Sequence, residues 1–200
     1  MTEDSCILIH YHEIALKGKN RSWFERQLIN NIKRQLSGLP CTKINLTAAR
    51  IFCFGIDESL WNDYARRLQK VMGIKHAILM SQVKSEIDKM QIVAATQIEG
   101  LEFSSFRVSA RRQYKESHLS SQEINEAVGQ YIQSIYLKPV KLKNADVDMT
   151  IELVKGMAYI GYKRIQGFGG LPVKTSEKAV SMISSGIDSP VASFEMLKRG

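Results

Sequence analysis

Residues 6–36, CILIHYHEIALKGKNRSWFERQLINNIKRQL, decide the fold. Cys6–Tyr11 is a short apolar run of strand length. Asn20 then offers an N-cap for a helix whose Phe24, Leu28, Ile32 and Leu36 recur every four residues and so share one face. Ser37-Gly38-Leu39-Pro40 ends that helix, and KINLTAA (43–49) and RIFCFGI (50–56) read as two strands that pair locally. A second helix is expected from Glu58 to Met72, with Leu60, Tyr64, Leu68 and Val71 on one face, and Gly73 closes it before the strand HAILMSQV (76–83). The order β-α-β-β-α-β over residues 1–84 predicts the ferredoxin-like arrangement, an antiparallel sheet with both helices on one face. Trp23 and Trp61 lie beside apolar neighbours on the helices and are expected in the core.

A second α/β unit, residues 85–166, follows. It comprises a helix near Glu86–Glu99, the strand FRVSARR (106–112), and a helix over Ser121–Tyr136 with Ile124, Val128, Ile132 and Ile135 inward. A hairpin of Asp146–Val154 and Met157–Lys163 turns at Lys155-Gly156. GFGGLP marks a linker over residues 167–177, and residues 178–200 read as strand, Gly- and Ser-containing turn, and helix. The whole is an α/β (α+β) chain.

Composition narrows the partners. Twenty-eight Lys+Arg against 20 Asp+Glu give a net charge of +8, which favours a polyanion. The excess is concentrated: Lys17–Arg34 holds six basic residues against one acidic, and Arg107–Lys143 seven against three. Lys17, Lys19, Asn20 and Arg21 precede a helix start, and Arg107, Arg111, Arg112 and Lys115 end a strand with Tyr114 among them as a stacking ring. For both groups a solvated surface is the competing reading. Three cysteines, Cys6, Cys41 and Cys53, all in strand-like runs, suggest neither a disulfide framework nor a zinc site and are read as buried small hydrophobes. His10 and His12 alternate on one strand face, but no third metal ligand accompanies them. No stretch reaches the roughly 20 apolar residues of a membrane span and no signal peptide opens the chain, so a cytoplasmic protein is expected.

Ser184-Ser185-Gly186-Ile187-Asp188-Ser189 places hydroxyls and a glycine where a helix begins, a setting suited to phosphate; it lacks the GKS or GKT of a Walker A loop. The alternative is an ordinary helix start capped by Asp188 or Ser189.

At this point the residues resemble a known family. The 184–189 loop with Pro190-Val191-Ala192 is similar to the SGGxDS loop of PP-loop ATP pyrophosphatases. HYHEIALKGKNR (10–21) resembles the opening signature of the tRNA 4-thiouridine synthetases, FRVSARR with SSQEINEAVG (120–129) their THUMP domain, and GFGGLPVKT (167–175) their linker. The resemblance implies a ferredoxin-like domain, a THUMP RNA-binding domain, and the first strand-loop-helix of a PP-loop domain at 178–200. It implies a tRNA sulfurtransferase that adenylates a uridine with ATP and Mg²⁺ and replaces its oxygen by persulfide sulfur, and that serves thiamine thiazole synthesis in some members. On that resemblance Ser184, Gly186, Asp188 and Ser189 cradle the pyrophosphate, Asp188 helps to organise Mg²⁺, Met182 and Ile183 contact the nucleotide, and Ser185 belongs to the same ATP-binding loop. Ser185 departs from the family's first glycine, and Lys174 and Glu177 stand where glycine is frequent. The ferredoxin-like and THUMP units grip the tRNA acceptor region, a cysteine desulfurase donates sulfur, and homodimerisation is a further partner question. The persulfide cysteine of the family is expected beyond residue 200, so this chain alone is expected to be inactive. The competing function is a stand-alone THUMP RNA-binding or adaptor protein, and a third is a ferredoxin-like module that binds no RNA.

Overall fold

A computed structural model describes residues 4–113 and 119–200. The chain divides into two compact units, one of Ile7–Ile78 with Arg164–Gly200, the other of Leu79–Lys163 with the segment ending at Cys6.

In the first unit, β1 (Asp4–Tyr11) leads through two 3₁₀ turns to α1 (Arg21–Gln35). Then come β2 (Lys43–Thr47), β3 (Arg50–Phe54), α2 (Trp61–Leu68) and β4 (Ile74–Lys84), and the strand order β2-β3-β1-β4 is the ferredoxin-like one. The apolar run Cys6–Ile9 is wholly buried, and the four-residue stripe Phe24, Leu28, Ile32 and Leu36 is buried as well. Each fully buried Leu or Ile there contributes about 1.5–3 kcal/mol relative to exposure. β2 and β3 pair antiparallel, Thr47 opposite Arg50, across a two-residue turn in which Ala48 and Ala49 both hold positive φ, 50° and 63°. That geometry suits the twist of a hairpin but crowds a Cβ. β8 (Arg164–Gln166) pairs antiparallel with the start of β4. The stretch read as a linker continues beside it: the N–H of Gly167 donates to Lys75, that of Gly169 to Ile74, and that of Gly73, at φ 99°, to Gly169 at 2.7 Å.

In the second unit the later part of β4 pairs antiparallel with β7 (Met157–Gly161), β7 with β6 (Val147–Val154), and β6 parallel with β5 (Phe106–Arg112), which is the edge. Gly161 approaches β4 so closely that an added Cβ would lie 1.9 Å from the Leu79 carbonyl oxygen. The core joins Met90, Val93 and Ala94 of α3 (Ile87–Gln97) and Ile124, Val128 and Ile132 of α4 (Ser121–Tyr136) with Phe106, Met149, Ile151 and Ile160 of the sheet. Ser120 caps α4 in a complete capping box: its hydroxyl accepts the Glu123 N–H, and the Glu123 carboxylate accepts the Ser120 N–H at 2.6 Å. Tyr159, whose phenol burial pushes up to about 12, lies on β7.

Several expectations change. Ile135 is 49% exposed; the four-residue stripe continues instead to Tyr136, whose hydroxyl donates to the Ala95 carbonyl and whose ring meets Phe103. Trp23 is exposed and Trp61 half-buried, because Phe24 and Tyr64, one and three residues further along their helices, take the core positions. Cys41 is half-buried and lies outside the strands. The helix expected from Glu58 to Met72 is a 3₁₀ turn, Glu58–Leu60, followed by α2, which ends at Leu68. Lys178–Ile183 forms no strand: Val180 and Met182 are 96% and 89% exposed, with no neighbouring strand among the described residues to pair their backbone. α5 (Asp188–Leu197) follows, with Ile187 at its N-cap position and no side-chain cap bond, so neither Asp188 nor Ser189 caps it. No helix among the described residues is long and apolar enough to cross a membrane.

Candidate nucleic-acid interface

The edge strand β5 sorts its arginines. Arg107 is committed within the fold: its guanidinium pairs with Asp148, the residue beside it on β6, and donates to the Leu142 carbonyl at 3.0 Å. Asp148 also accepts the Ser109 hydroxyl at 2.9 Å. An edge strand leaves backbone N–H groups without a ladder partner, and Asn125 of α4 supplies one, accepting the Ala110 N–H at 2.7 Å. Arg111 and Arg112 end the strand exposed, Arg112 donating to the Leu119 carbonyl at 3.3 Å. Tyr114 and Lys115 lie outside the described residues. At the other end of β5, Lys141 N–H donates to the Phe106 carbonyl, and Lys138, Lys141 and Lys143 stand exposed around Val140 and Leu142. Composition counted these lysines as charge, but only the backbone pairing reveals that they flank the strand. Asp146 shapes the same end: it accepts the N–H groups of Ser104 (2.8 Å) and Ser105 (3.2 Å), which hold its carboxyl below the usual range.

The loop between β1 and α1 is fixed from below. Ile14 is buried, and Tyr11, Arg21 and Glu25 form a closed network. The Tyr11 hydroxyl donates to Glu25 at 2.6 Å, and Arg21 donates to Glu25 at 2.9 Å and also to the Tyr11 oxygen. Glu25 is only 6% exposed, so its charge is balanced by Arg21 at close range. Burial, and then the Glu25 hydrogen bond, push the Tyr11 phenol up to about 12. Of the four residues expected to meet RNA here, Lys19 and Asn20 are exposed, Lys17 lies 5.0 Å from the Phe24 ring, and Arg21 is held inward. Asn20 occupies the N-cap of α1 without a side-chain cap bond, and the first turn of α1 has no acidic residue. His10 stacks on His76 at 4.5 Å, and His12 accepts the Gly170 N–H through Nδ1. Among the described residues no three His, Cys, Asp or Glu side chains converge as a metal site.

The 184–189 loop is exposed and folded on its own hydroxyls. The Ser184 N–H donates to the Ser189 hydroxyl at 2.9 Å and the Gly186 N–H to the Ser184 hydroxyl at 3.3 Å. Gly186 has open space beside its Cα apart from the Ser184 hydroxyl at 3.5 Å, so a ligand could approach the backbone there. Met182, Ile183 and Asp188 are exposed, and Ser185 adds a side chain to the same exposed loop.

Three family models match: ThiI ferredoxin-like domain over residues 6–77, THUMP domain over 84–163, and Thiamine biosynthesis protein (ThiI) over 174–200. A probable tRNA sulfurtransferase of Thermoanaerobacter pseudethanolicus is 38% identical over 197 residues, 97% of this chain and 50% of that protein. One from Listeria welshimeri is 37% identical over 199 residues, 97% of this chain and 49% of that protein. The chain therefore spans about half the length of the curated relatives it matches. Among solved structures, a Pyrococcus horikoshii protein superposes with a TM-score of 0.83 at 33% identity, covering 98% of this chain and 66% of that one. A 4-thiouridine synthetase in complex with RNA and bound ATP superposes with a TM-score of 0.78 at 33% identity, covering 99% of this chain and 51% of that one.

Proposed function

Because the chain belongs to the ThiI family, carrying its ferredoxin-like and THUMP modules ahead of the start of its ThiI region, we propose that it is the tRNA-gripping portion of a tRNA sulfurtransferase. The observation that carries the RNA reading is the arrangement on β5: Arg107 is paired with Asp148, and Arg111 and Arg112 end the strand exposed, Arg112 also bonded to the Leu119 carbonyl, where charge-assisted contacts to phosphates can form. Lys19 and the uncapped start of α1 supply a second basic surface. The similar synthetase structure was determined with RNA and ATP, which supports the same ligands here. The proposed domain division is 1–84 ferredoxin-like, 85–166 THUMP, 167–177 linker and 178–200 start of the nucleotide-binding domain.

For the whole protein the proposed reaction is ATP-dependent conversion of a tRNA uridine to 4-thiouridine, in the cytoplasm, with sulfur from a cysteine desulfurase. The donor set of the 184–189 loop fits a pyrophosphate: Ser184 and Ser189 bring hydroxyls, and Gly186 leaves the backbone open. ATP would supply activation of the uridine oxygen as a leaving group, and Asp188 would be the carboxylate that helps to hold Mg²⁺. The similarity of residues 174–200 to the Thiamine biosynthesis protein (ThiI) family supports a role in thiamine biosynthesis as a second use of the same sulfur chemistry.

The test is binding of the purified chain to full-length tRNA and to a truncated acceptor-stem RNA at two salt concentrations. Salt-sensitive binding to both, with single-stranded DNA of equal length much weaker, supports the reading. Salt-insensitive or absent binding sinks the RNA role and leaves a ferredoxin-like module of other purpose.

A further inference from the structure

Residues 135–143, IYLKPVKLK, present apolar and cationic side chains together beyond the edge of the second unit's sheet. Pairing with the start of β5 sets their arrangement. The Phe106 N–H donates to the Pro139 carbonyl at 3.2 Å and the Lys141 N–H donates to the Phe106 carbonyl at 2.9 Å, a parallel bridge between Phe106 and Val140. Both bonds use the neighbours of Val140, so the N–H and carbonyl of Val140 itself face away from β5, and they take no partner among the described residues. The segment is a short outer edge with an open hydrogen-bonding position. The side chains around that position are uncovered as well: Leu137 is 82% and Leu142 80% exposed, and Ile135 and Val140 are half-exposed. Leu137 holds the left-handed C-cap of α4 at φ 53°, where glycine or asparagine costs less, so a large apolar side chain stands in solvent at a position whose backbone disfavours one. Lys138, Lys141 and Lys143 alternate with these residues, exposed and without an ion pair among the described residues. The acids that follow are turned inward, Asp146 accepting the Ser104 and Ser105 N–H groups and Asp148 pairing with Arg107.

We propose that residues 135–143 are a docking edge for a protein partner, which adds an extended acidic segment alongside Val140, its carboxylates meeting Lys138, Lys141 and Lys143 and its apolar residues covering Leu137 and Leu142. Charge complementarity selects the occupant. The lysines repel a second copy of the same edge. A nucleic-acid backbone matches the lysines but leaves the leucines and the Val140 N–H and carbonyl unused. An extended peptide uses all of them, attaching through main-chain hydrogen bonds and selecting through side chains that alternate in sign and polarity. The edge lies at the opposite end of β5 from Arg111 and Arg112, and the proposal is independent of RNA binding there.

The experiment titrates the 200-residue chain into a fluorescein-labelled synthetic peptide that alternates Glu with Leu and Val between terminal prolines, which block self-pairing, and locates the contact by backbone amide NMR. The expected result is saturable binding with the largest shifts at Val140 and Lys141. Peptides with Lys in place of Glu, or Ser in place of Leu and Val, should bind about tenfold or more weakly, and so should one with the same side chains and N-methylated central amides. Leu137→Gly/Leu142→Ser changes two exposed side chains and relieves the left-handed leucine. It should weaken the acidic peptide about tenfold or more, leave the urea midpoint at or above wild type, and leave tRNA affinity unchanged. The proposal is overturned if the acidic peptide shows no saturable binding, or if its affinity ignores Leu137→Gly/Leu142→Ser. It is also overturned if the double variant weakens tRNA as much as peptide, which makes the patch a nucleic-acid surface, or if the variant abolishes a concentration-dependent dimer, which gives the edge to a second copy.

Discussion

The three arginines of β5 look equivalent along the strand, yet their surroundings predict opposite phenotypes. Arg111→Ala/Arg112→Ala removes two exposed cations, whereas Arg107→Ala removes one whose charge is paired with the Asp148 carboxylate. Each phosphate neutralised by a side chain contributes about −0.9 to the slope of log K against log salt on a duplex and about −0.7 on a single strand. The double variant should therefore flatten the tRNA-binding slope by about 1.4–1.8. Between about 50 and 200 mM salt, the wild-type advantage over the double variant should shrink about tenfold. Arg107→Ala should leave the slope at its wild-type value. Its cost falls on the fold, about 1 kcal/mol once solvent screening of this partly exposed pair is allowed for, and is read as a lower urea midpoint at unchanged m-value. Fluorescence anisotropy of labelled tRNA across a salt series, with urea unfolding of each variant, separates the two effects. A flattened slope for Arg107→Ala together with an unchanged slope for the double variant would refute the sorting.

Two further outcomes follow from local geometry. Ala48→Asn/Ala49→Gly places residues that tolerate positive φ in the β2–β3 turn, and should raise the stability of the chain by about 1–2 kcal/mol in urea unfolding without altering tRNA binding. Asp146 has its folded pKa lowered from 3.8, first by the Ser104 N–H, so it binds a proton less readily in the folded state than in the unfolded one. Its contribution is fully present above that ordinary value and is lost as pH falls through the lowered one. Asp146→Asn, which keeps an acceptor oxygen, should show a smaller fall in urea midpoint between pH 6 and pH 3 than wild type.

Much of the ferredoxin-like order was legible because its signals are local. The four-residue period of Phe24, Leu28, Ile32 and Leu36 and the apolar run at Cys6–Ile9 each describe a single element, and all of these residues are buried. Ile135 could not be placed in the same way, since an inward position one turn after Ile132 could go to Ile135 or to Tyr136, and the Ala95 carbonyl that receives the tyrosine hydroxyl is 41 residues distant. The division of labour between Arg107 and Arg111 was equally hidden, because Asp148 lies on another strand. The strand expected at 178–183 shows the limit of pattern reading: an apolar run becomes a strand only when another strand completes its hydrogen bonds.

The capping box of α4 has a consequence for any polyanion that approaches β5. A helix start ordinarily welcomes a phosphate, but here the Glu123 carboxylate already occupies the Ser120 N–H and carries negative charge at that end. α4 thus brings its own resident anion and turns a second one away, so a backbone running past Arg111 and Arg112 meets attraction on the strand and exclusion at the helix start. On the proposed RNA-binding reading, such a surface would read position by where phosphate is refused as well as by where it is held.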